Sequence, residues 1–190
     1  MNKEKYQEIC DSLEKLRLEG NPYWNASPEV VFVLESHVRR VPHCRMLEIG
    51  CSNGYTALRL VPALLEVRGT LITVESHVQR GNIAAENFCL AEVIDVVTLL
   101  RGHAPEIFSE LSGKFDVVFL DATKYEHVSY VEKLLLLLSS QATIIADNIS
   151  SHTDAMKPFV EYMHSLKGFS VEIKQLGTGL LVAEKRGENG

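Results

Sequence analysis

Three oxygen-bearing side chains follow two predicted strands at the points where those strands end. Asp121 closes the apolar stretch Phe115–Leu120, and Asp147 and Asn148 close the next one. Since the carboxyl ends of neighbouring parallel strands lie about 5 Å apart, we expect the three side chains to converge. Two carboxylates and a carboxamide form a hard, incomplete oxygen set suited to Mg²⁺, although Asp-Asn after a strand is equally typical of a turn.

Lys124 follows Asp121 by one turn and is the candidate proton carrier. A lysine beside a bound hydroxyl can accept or relay its proton. A lone lysine at a helix start is more often a solvated surface residue, so only its offset from Asp121 favours catalysis.

A second group of candidate binding residues surrounds a glycine turn after the first predicted strand. Gly50 and Gly54 remove side chains where a ligand would pass close to the backbone. A dinucleotide fingerprint would place a glycine at Ser52, so the spacing disfavours NAD. Glu48 offers a carboxylate for the ammonium of a methionine moiety, and Glu75 could accept both ribose hydroxyls. The alternative is a simple tight turn with a solvated Glu75.

Apolar, β-branched stretches that alternate with helix-length segments predict the scaffold that positions these residues. Strands are expected at Arg45–Ile49, Thr70–Glu75, 94–100, Phe115–Leu120 and 143–146. This alternation indicates an α/β protein with a parallel sheet. After a last helix near 154–166, two strand-like segments, 169–176 and Leu180–Lys185, predict an antiparallel hairpin.

Two helices are predicted before the first strand. The first ends near Gly20 and should cover a sheet edge or a partner subunit, with apolar residues at helical spacing: Tyr6, Ile9, Leu13 and Leu16. The second begins where Ser27 caps it and continues to about Arg40. Between them, Tyr23 and Trp24 predict either a lid or a packed aromatic pair. Pro62 is expected to kink or restart the helix after the first strand.

Composition and charge limit the classes of protein to which this chain can belong. The 190 residues, 46% hydrophobic and 23% charged, predict one domain over 1–190, with 1–26 as a helical extension. A net charge of -6 disfavours nucleic acid as a partner. The longest apolar run, 134–138, is too short to span a membrane, and the lysine-rich start lacks a secretory signal, so we expect a cytoplasmic protein. Four scattered cysteines indicate neither a zinc site nor a disulfide framework.

The motifs and their order over 26–185 resemble the class I methyltransferases, specifically the metal-dependent O-methyltransferase family that includes the catechol and caffeoyl-coenzyme A enzymes. The glycine turn of that family is similar to Glu-x-Gly-x-x-x-Gly-Tyr-Ser/Thr, which Glu48, Gly50, Gly54, Tyr55 and Thr56 match. The resemblance implies a single Rossmann-like α/β methyltransferase domain. Its sheet would be seven-stranded and mostly parallel, with a C-terminal antiparallel hairpin.

The resemblance also implies roles for individual residues. It implies that S-adenosylmethionine binds the following: Glu48, Gly50, Ser52, Gly54, Tyr55, Thr56, Glu75, Ser76, His103, Ala104 and Asp121. It implies that Asp121, Asp147 and Asn148 ligate Mg²⁺ or another divalent cation, and that Lys124 and Asp121 serve catalysis. A homodimer is implied by the resemblance alone.

Several positions depart from the family pattern. Thr123 stands where many members have Asp, His127 where Tyr is common, and His103 where bacterial relatives often have Asp. Leu180 and Leu181 follow the hairpin glycine where the catechol enzymes carry an acidic contact. A catechol acceptor is therefore disfavoured.

Three functions are compatible with these residues. The first is metal-assisted methyl transfer to a hydroxyl of a small acceptor, with a vicinal diol as one type. The others are a methyltransferase acting on tRNA or protein, and a noncatalytic S-adenosylmethionine-binding module. The presence of Asp121, Asp147 and Asn148 together with Lys124 favours catalysis.

The histidines are not assigned a role in the chemistry. His152 lines the acceptor pocket or is solvated, with solvation preferred. The remaining histidines are expected at the surface: His37, His43, His77, His127 and His164.

Overall fold

Strands and helices alternate through most of the computed structural model, which describes residues 2–187. The strands are β1 (Arg45–Ile49), β2 (Thr70–Glu75), β3 (Val97–Arg101), β4 (Phe115–Leu120), β5 (Leu138–Ala146), β6 (Phe169–Lys174) and β7 (Leu180–Lys185). The helices are α1 (Lys3–Leu18), α2 (Pro28–Arg39), α3 (Tyr55–Val67), α4 (Val78–Leu90), α5 (Ala104–Ile107), α6 (His127–Leu134) and α7 (Thr153–Ser165). Among the described residues, none of the helices combines the length and apolar character needed to cross a membrane.

The strands form one sheet in the order β3-β2-β1-β4-β5-β7-β6. The first five run parallel, and β7 lies antiparallel to both β5 and β6, which confirms the predicted α/β sheet with its C-terminal hairpin. Strand order reverses between β1 and β4, and such a switch point leaves a crevice at the carboxyl ends of the strands. The third strand begins at Val97 rather than at the predicted 94, because residues 94–96 form a turn.

Two apolar layers cover the two faces of the sheet. Successive residues of β1 point to opposite faces, so Met46 belongs to the buried cluster that includes Leu34 of α2 and Leu58 of α3. Leu47 packs on the other face with residues that include Phe159 of α7. Burial on both faces explains the continuous apolar character of the strands and holds their carboxyl ends rigidly.

Helix α1 has its main contacts with α3 and α4 of the same chain rather than with a strand at the sheet edge. That it covers a partner subunit stays a prediction. Pro62 lies inside α3, which continues through it as one helix, so Pro62 does not restart the helix, and the expected kink stays a prediction. Pro62 lacks the N–H that would normally donate to the carbonyl of Leu58. The hydroxyl of Tyr6 in α1 donates to that carbonyl instead, at 2.6 Å, so the helix continues without an unsatisfied acceptor.

Two histidines predicted at the surface are buried. The ring of His127 is fully enclosed, packs edge-on against Phe159, and has Nδ1 at 3.0 Å from the carbonyl oxygen of Thr123. Burial lowers the pKa of His127 to about 4. His37 is also buried, with Nδ1 at 2.8 Å from the carbonyl oxygen of Val33. Local sequence missed both because each imidazole is enclosed by elements distant in the chain.

Candidate active site

A cavity of about 750 Å³ lies over the carboxyl ends of the strands. Six neighbouring strands, from β3 across to β7, each contribute one residue at or next to their cavity end: Gly102, Glu75, Gly50, Asp121, Asp147 and Thr178. The five intervals between these positions, at about 4.8 Å each, give the cavity a length of roughly 24 Å. It can therefore hold an elongated nucleoside-type ligand and a small acceptor end to end.

Most of the residues singled out by sequence line this cavity. They are Gly50, Ser52, Glu75, Ser76, His103, Ala104, Asp121, Lys124, Asp147 and Asn148. Four others do not line it: Glu48, Gly54, Tyr55 and Thr56. The structure thus separates the predicted site residues into a wall and a layer behind it.

The two glycines of the turn serve close packing of the chain. A Cβ on Gly50, whose φ is +103°, would meet the backbone carbonyl of Asp121. A Cβ on Gly54 would lie 2.7 Å from the ring of Phe88. Tyr55 begins α3 and its hydroxyl donates to Oε2 of Glu14 at 2.6 Å. Gly54, Tyr55 and the buried Thr56 support the turn on the side away from the cavity. A direct contact of these three residues with the cofactor stays a prediction.

Glu48 is buried beneath the same turn, with no exposed surface. Its Oε2 accepts a hydrogen bond from the hydroxyl of Thr73 at 2.6 Å, and its Oε1 has no partner within residues 2–187. Burial raises the pKa of Glu48 to about 8, and the charges of Asp121 and Glu75 act in the same direction. Glu48 does not line the cavity. The ammonium group of a ligand in the cavity could therefore contact Glu48 only by passing through the cavity wall.

The carboxylate of Glu75 is fixed at the cavity wall by two backbone donors. The N–H of Ser52 donates to its Oε2 at 2.7 Å, and the N–H of His77 donates to its Oε1 at 2.8 Å. Each carboxylate oxygen retains further acceptor capacity. Glu75 can therefore accept hydrogen bonds from a vicinal pair of hydroxyls such as those of a ribose.

His103 stands at the same end of the cavity and is held by Glu126, the residue directly before α6. Its Nε2 lies 2.8 Å from Oε1 of Glu126, and the hydroxyl of Tyr130 donates to Oε2 of Glu126 at 2.6 Å. Ala104 follows at the start of α5 and is buried. Both positions can form the end wall for a ring system, as the sequence predicts.

Asp121 and Lys124 form an ion pair on the cavity wall. Their Oδ1 and Nζ atoms lie 3.1 Å apart, and each side chain is only 16% exposed. Burial raises the pKa of Asp121 to about 7, the charge of Lys124 opposes this, and the charge of Asp147 reinforces it. Carboxylates gathered in this way favour a cationic ligand, since a cation relieves their mutual repulsion.

A hydroxyl of the hairpin turn organises the two polar residues after β5. Thr178 donates to Oδ1 of Asp147 at 2.6 Å, and Nδ2 of Asn148 donates to Thr178 Oγ1 at 2.9 Å. The backbone N–H of Asn148 also donates to Oδ1 of Asp147, at 2.6 Å. Because the single hydroxyl proton goes to Asp147, the amide nitrogen of Asn148 must face Thr178, which leaves its Oδ1 without a partner among residues 2–187.

The oxygen set at this end fits a hard divalent cation by its chemistry. It consists of carboxylates from Asp121 and Asp147 and the free amide oxygen of Asn148, all on the cavity wall. Within the part of the chain that the structure describes, no group of three or more His, Cys, Asp or Glu side chains could hold a metal. Any metal here would thus depend on the amide oxygen and on water or substrate oxygens to complete its ligands.

Sequence reasoning missed several residues of the cavity wall. Arg17 of α1 and Arg80 of α4 line it, although neither carries a motif. The guanidinium of Arg80 lies 4.5 Å from the ring centroid of Trp24, whose side chain is exposed at the rim. The carbonyl of Tyr23 accepts a hydrogen bond from the Ser52 hydroxyl at 2.9 Å. The aromatic pair was visible in the sequence, but its partners lie too far along the chain for a local pattern to indicate them.

Comparison with known proteins adds evidence independent of this geometry. A family model described as a methyltransferase domain matches residues 47–149, more than half of the chain. A catechol O-methyltransferase from Mycobacterium tuberculosis is 32% identical over 106 residues, covering 55% of this chain and 48% of that protein. The chain spans about half the length of the curated relatives it matches.

Solved structures resemble the chain over nearly its whole length. A Klebsiella pneumoniae protein, provisionally assigned as an O-methyltransferase, superposes with a TM-score of 0.83 at 26% identity, covering 94% of this chain and 90% of that one. An O-methyltransferase from Bacillus cereus, solved in complex with SAH, gives a TM-score of 0.83 at 22% identity, covering 94% and 91%. The second likeness bears on the fold alone.

Proposed function

The chain belongs to the family of methyltransferase domains, and on that premise we propose that it transfers the methyl group of S-adenosylmethionine to a hydroxyl of a small acceptor. The observation that carries the proposal is one continuous cavity that joins Glu75 at one end to Asp147 and Asn148 at the other. The similarity to named O-methyltransferases supports oxygen as the atom that is methylated.

The half of the cavity over β3, β2 and β1 suits the cofactor. Glu75 would hold the ribose hydroxyls, and His103 and Ala104 would border the adenine. The gathered carboxylates near Gly50 suit a ligand that carries both an ammonium and a sulfonium charge. When bound, S-adenosylmethionine supplies an electrophilic methyl group, so the protein needs no nucleophile of its own.

The half over β4, β5 and the hairpin suits the acceptor. Asp121, Asp147 and Asn148 would hold Mg²⁺ or a similar cation there. When bound, such a cation lowers the pKa of a hydroxyl that it contacts. A small acceptor fits this end better than tRNA, because a net charge of -6 opposes a polyanion.

Lys124 would carry the proton of the acceptor. Its Nζ lies on the cavity wall and is held by the Asp121 carboxylate at 3.1 Å, so its position is fixed before any ligand enters. An ammonium has no lone pair, so Lys124 must first release one proton to solvent; the neutral amine then takes the hydroxyl proton, and the ammonium so formed stabilises the developing oxyanion. The remaining task of the chain is to align acceptor and donor, which the walls of the cavity perform by position.

Calorimetric titration tests the two binding proposals separately. S-adenosylmethionine is titrated, with and without Mg²⁺, into the wild type, into an Asp147→Ala, Asn148→Ala double variant, and into Asp154→Ala as a surface control. We expect cofactor binding in all three, and a response to Mg²⁺ only in the wild type and the control. Failure of the wild type to bind the cofactor would refute the central proposal.

Turnover on a panel of vicinal diols, protocatechuate among them, then tests the chemistry. We expect methylation that requires Mg²⁺ in the wild type and is lost in the double variant. Cofactor binding with no metal response and no turnover would instead favour the noncatalytic module. Retention of the protein on tRNA would favour the nucleic-acid alternative.

A further inference from the structure

Two adjacent polar residues lie at the acceptor end of the cavity without a part in the chemistry proposed above. Ser151 and His152 both line the cavity, directly after the loop that carries Asp147 and Asn148. The sequence alone favoured a solvated His152, and the residue is exposed, but it also lines the cavity. A ligand at this end of the cavity would therefore lie next to His152.

The position of His152 is fixed by contacts between the loop and the hairpin turn. The N–H groups of Ser150 and Ser151 donate to the carbonyl of Thr178 at 2.9 and 3.1 Å. A Cβ on Gly179 would overlap Ser150, so the turn must carry glycine there to approach so closely. His152 is the N-cap residue directly before α7, and its N–H donates to the carbonyl of Asn148 at 3.2 Å.

The hydrogen bonds of Ser151 select one tautomer of the His152 ring. The Ser151 hydroxyl donates to the carbonyl of Asn148 at 3.4 Å, and the same oxygen lies 2.9 Å from His152 Nδ1. A serine has a single proton, so both contacts are satisfied together only if Nδ1 carries hydrogen and donates to Ser151. In a neutral ring Nε2 is then an acceptor, and it has no hydrogen-bond partner anywhere in 2–187.

We propose that His152, oriented by Ser151, is an acceptor-binding residue whose Nε2 accepts a hydrogen bond from a hydroxyl of the methyl acceptor. The inference rests on the proposed function and adds to it a residue that distinguishes the two hydroxyls of a diol acceptor. This contact selects which of two neighbouring hydroxyls is methylated.

Nitrogen NMR of the histidine side chains tests the tautomer independently of activity. In the wild type with S-adenosylhomocysteine, we expect His152 to carry its proton on Nδ1 at neutral pH. In Ser151→Ala the ring should revert toward the Nε2-protonated tautomer. Addition of protocatechuate to the wild-type complex should shift the Nε2 resonance of His152. An Nε2-protonated ring in the wild type, or no response to protocatechuate, would overturn the assignment.

Kinetics with protocatechuate test the selectivity. In His152→Ala the KM for protocatechuate should rise roughly 5- to 10-fold, as for loss of one hydrogen bond, with little change in kcat or in cofactor affinity. The ratio of the two monomethyl products should move toward equality. His152→Gln should restore part of both properties, because its amide oxygen can accept the same bond, and His164→Gln should resemble the wild type.

The outcomes separate the two proposals. An unchanged KM and product ratio in His152→Ala would overturn the role of His152 while leaving the methyltransferase proposal intact. If the wild type does not methylate protocatechuate, the proposed activity fails for this acceptor, and the nitrogen spectra alone then support or overturn the assignment of His152.

Discussion

The hydroxyl of Thr178 donates to Oδ1 of Asp147 at 2.6 Å, across 31 positions of sequence. Its oxygen also accepts from the side-chain amide of Asn148, so one hydroxyl sets the orientation of both polar residues after β5. The register of the sheet explains the contact, because Ala146 pairs with Leu181 and brings the preceding hairpin turn beside Asp147. Thr178 is therefore a positioning residue for the proposed cation site.

Replacement of Thr178 by valine tests this positioning. Thr178→Val keeps the shape of the side chain and removes its hydroxyl, so Asp147 and Asn148 lose their common partner. We expect the affinity for Mn²⁺, measured by calorimetry, to fall about 10- to 100-fold, as for loss of a residue that orients metal ligands. Cofactor affinity should change little. The exposed Thr98→Val is the matched control, and equal Mn²⁺ affinity in Thr178→Val and the wild type would contradict the role.

Lys124→Met tests the proposed proton carrier. The variant keeps the length of the side chain but lacks the charge and the proton of Nζ. We expect kcat on a diol acceptor to fall about 100- to 10,000-fold, the usual range for loss of a positioned acid or base. Calorimetric affinity for the cofactor should remain near that of the wild type, and Lys157→Met should behave as the wild type. A kcat within a few-fold of wild type would exclude Lys124 from proton transfer.

Glu48→Gln tests the buried carboxyl beneath the glycine turn. Burial raises the pKa of Glu48 in the folded state to about 8, from 4.5 for the free side chain. A raised pKa contributes stability that is present below pH 4.5 and is lost as pH rises toward 8. The free energy of unfolding of the variant, relative to wild type, should therefore increase by about 1.4 kcal/mol per pH unit across this window.

Urea unfolding at several pH values measures this difference. Glutamine does not titrate and can still accept the hydrogen bond of Thr73, so packing is preserved. The exposed Glu110→Gln should show no such trend. Parallel stability curves for wild type and Glu48→Gln would mean that Glu48 is ionised in the folded protein.

His127→Gln tests the buried imidazole in the opposite pH range. Burial lowers the pKa of His127 to about 4, from 6.5. Between these pH values the imidazole is protonated in the unfolded chain but neutral in the folded protein. Stability from this group is fully present above pH 6.5 and is lost as pH falls through 4, at up to about 1.4 kcal/mol per pH unit. In the glutamine variant this component should disappear.

Acid unfolding followed by circular dichroism detects the change. We expect the loss of stability between pH 6.5 and 4 to be smaller in His127→Gln than in the wild type. The exposed His43→Gln should leave the acid limb unchanged. Identical acid limbs in His127→Gln and wild type would show that His127 is readily protonated in the folded state.

The sequence by itself determined the order of the elements and the position of the acidic residues. Stretches such as Phe115–Leu120 are apolar because both faces of their strand are buried, so they mark a central strand wherever they occur. The turn residues that follow necessarily lie at the carboxyl edge, which is why Asp121, Asp147 and Asn148 could be placed together in advance. Local pattern suffices for features that depend on element type and burial.

Only the tertiary structure decided which side chains face the cavity and what holds them. The Tyr6 contact that lets α3 pass through Pro62, and the Thr178 contact with Asp147, join residues far apart in sequence. Such contacts depend on strand order, register and helix packing, which no local pattern encodes. For the same reason, Glu48 and Tyr55 lie behind the cavity wall although they are close in sequence to Gly50 and Ser52, which line it, whereas His152 lines the cavity.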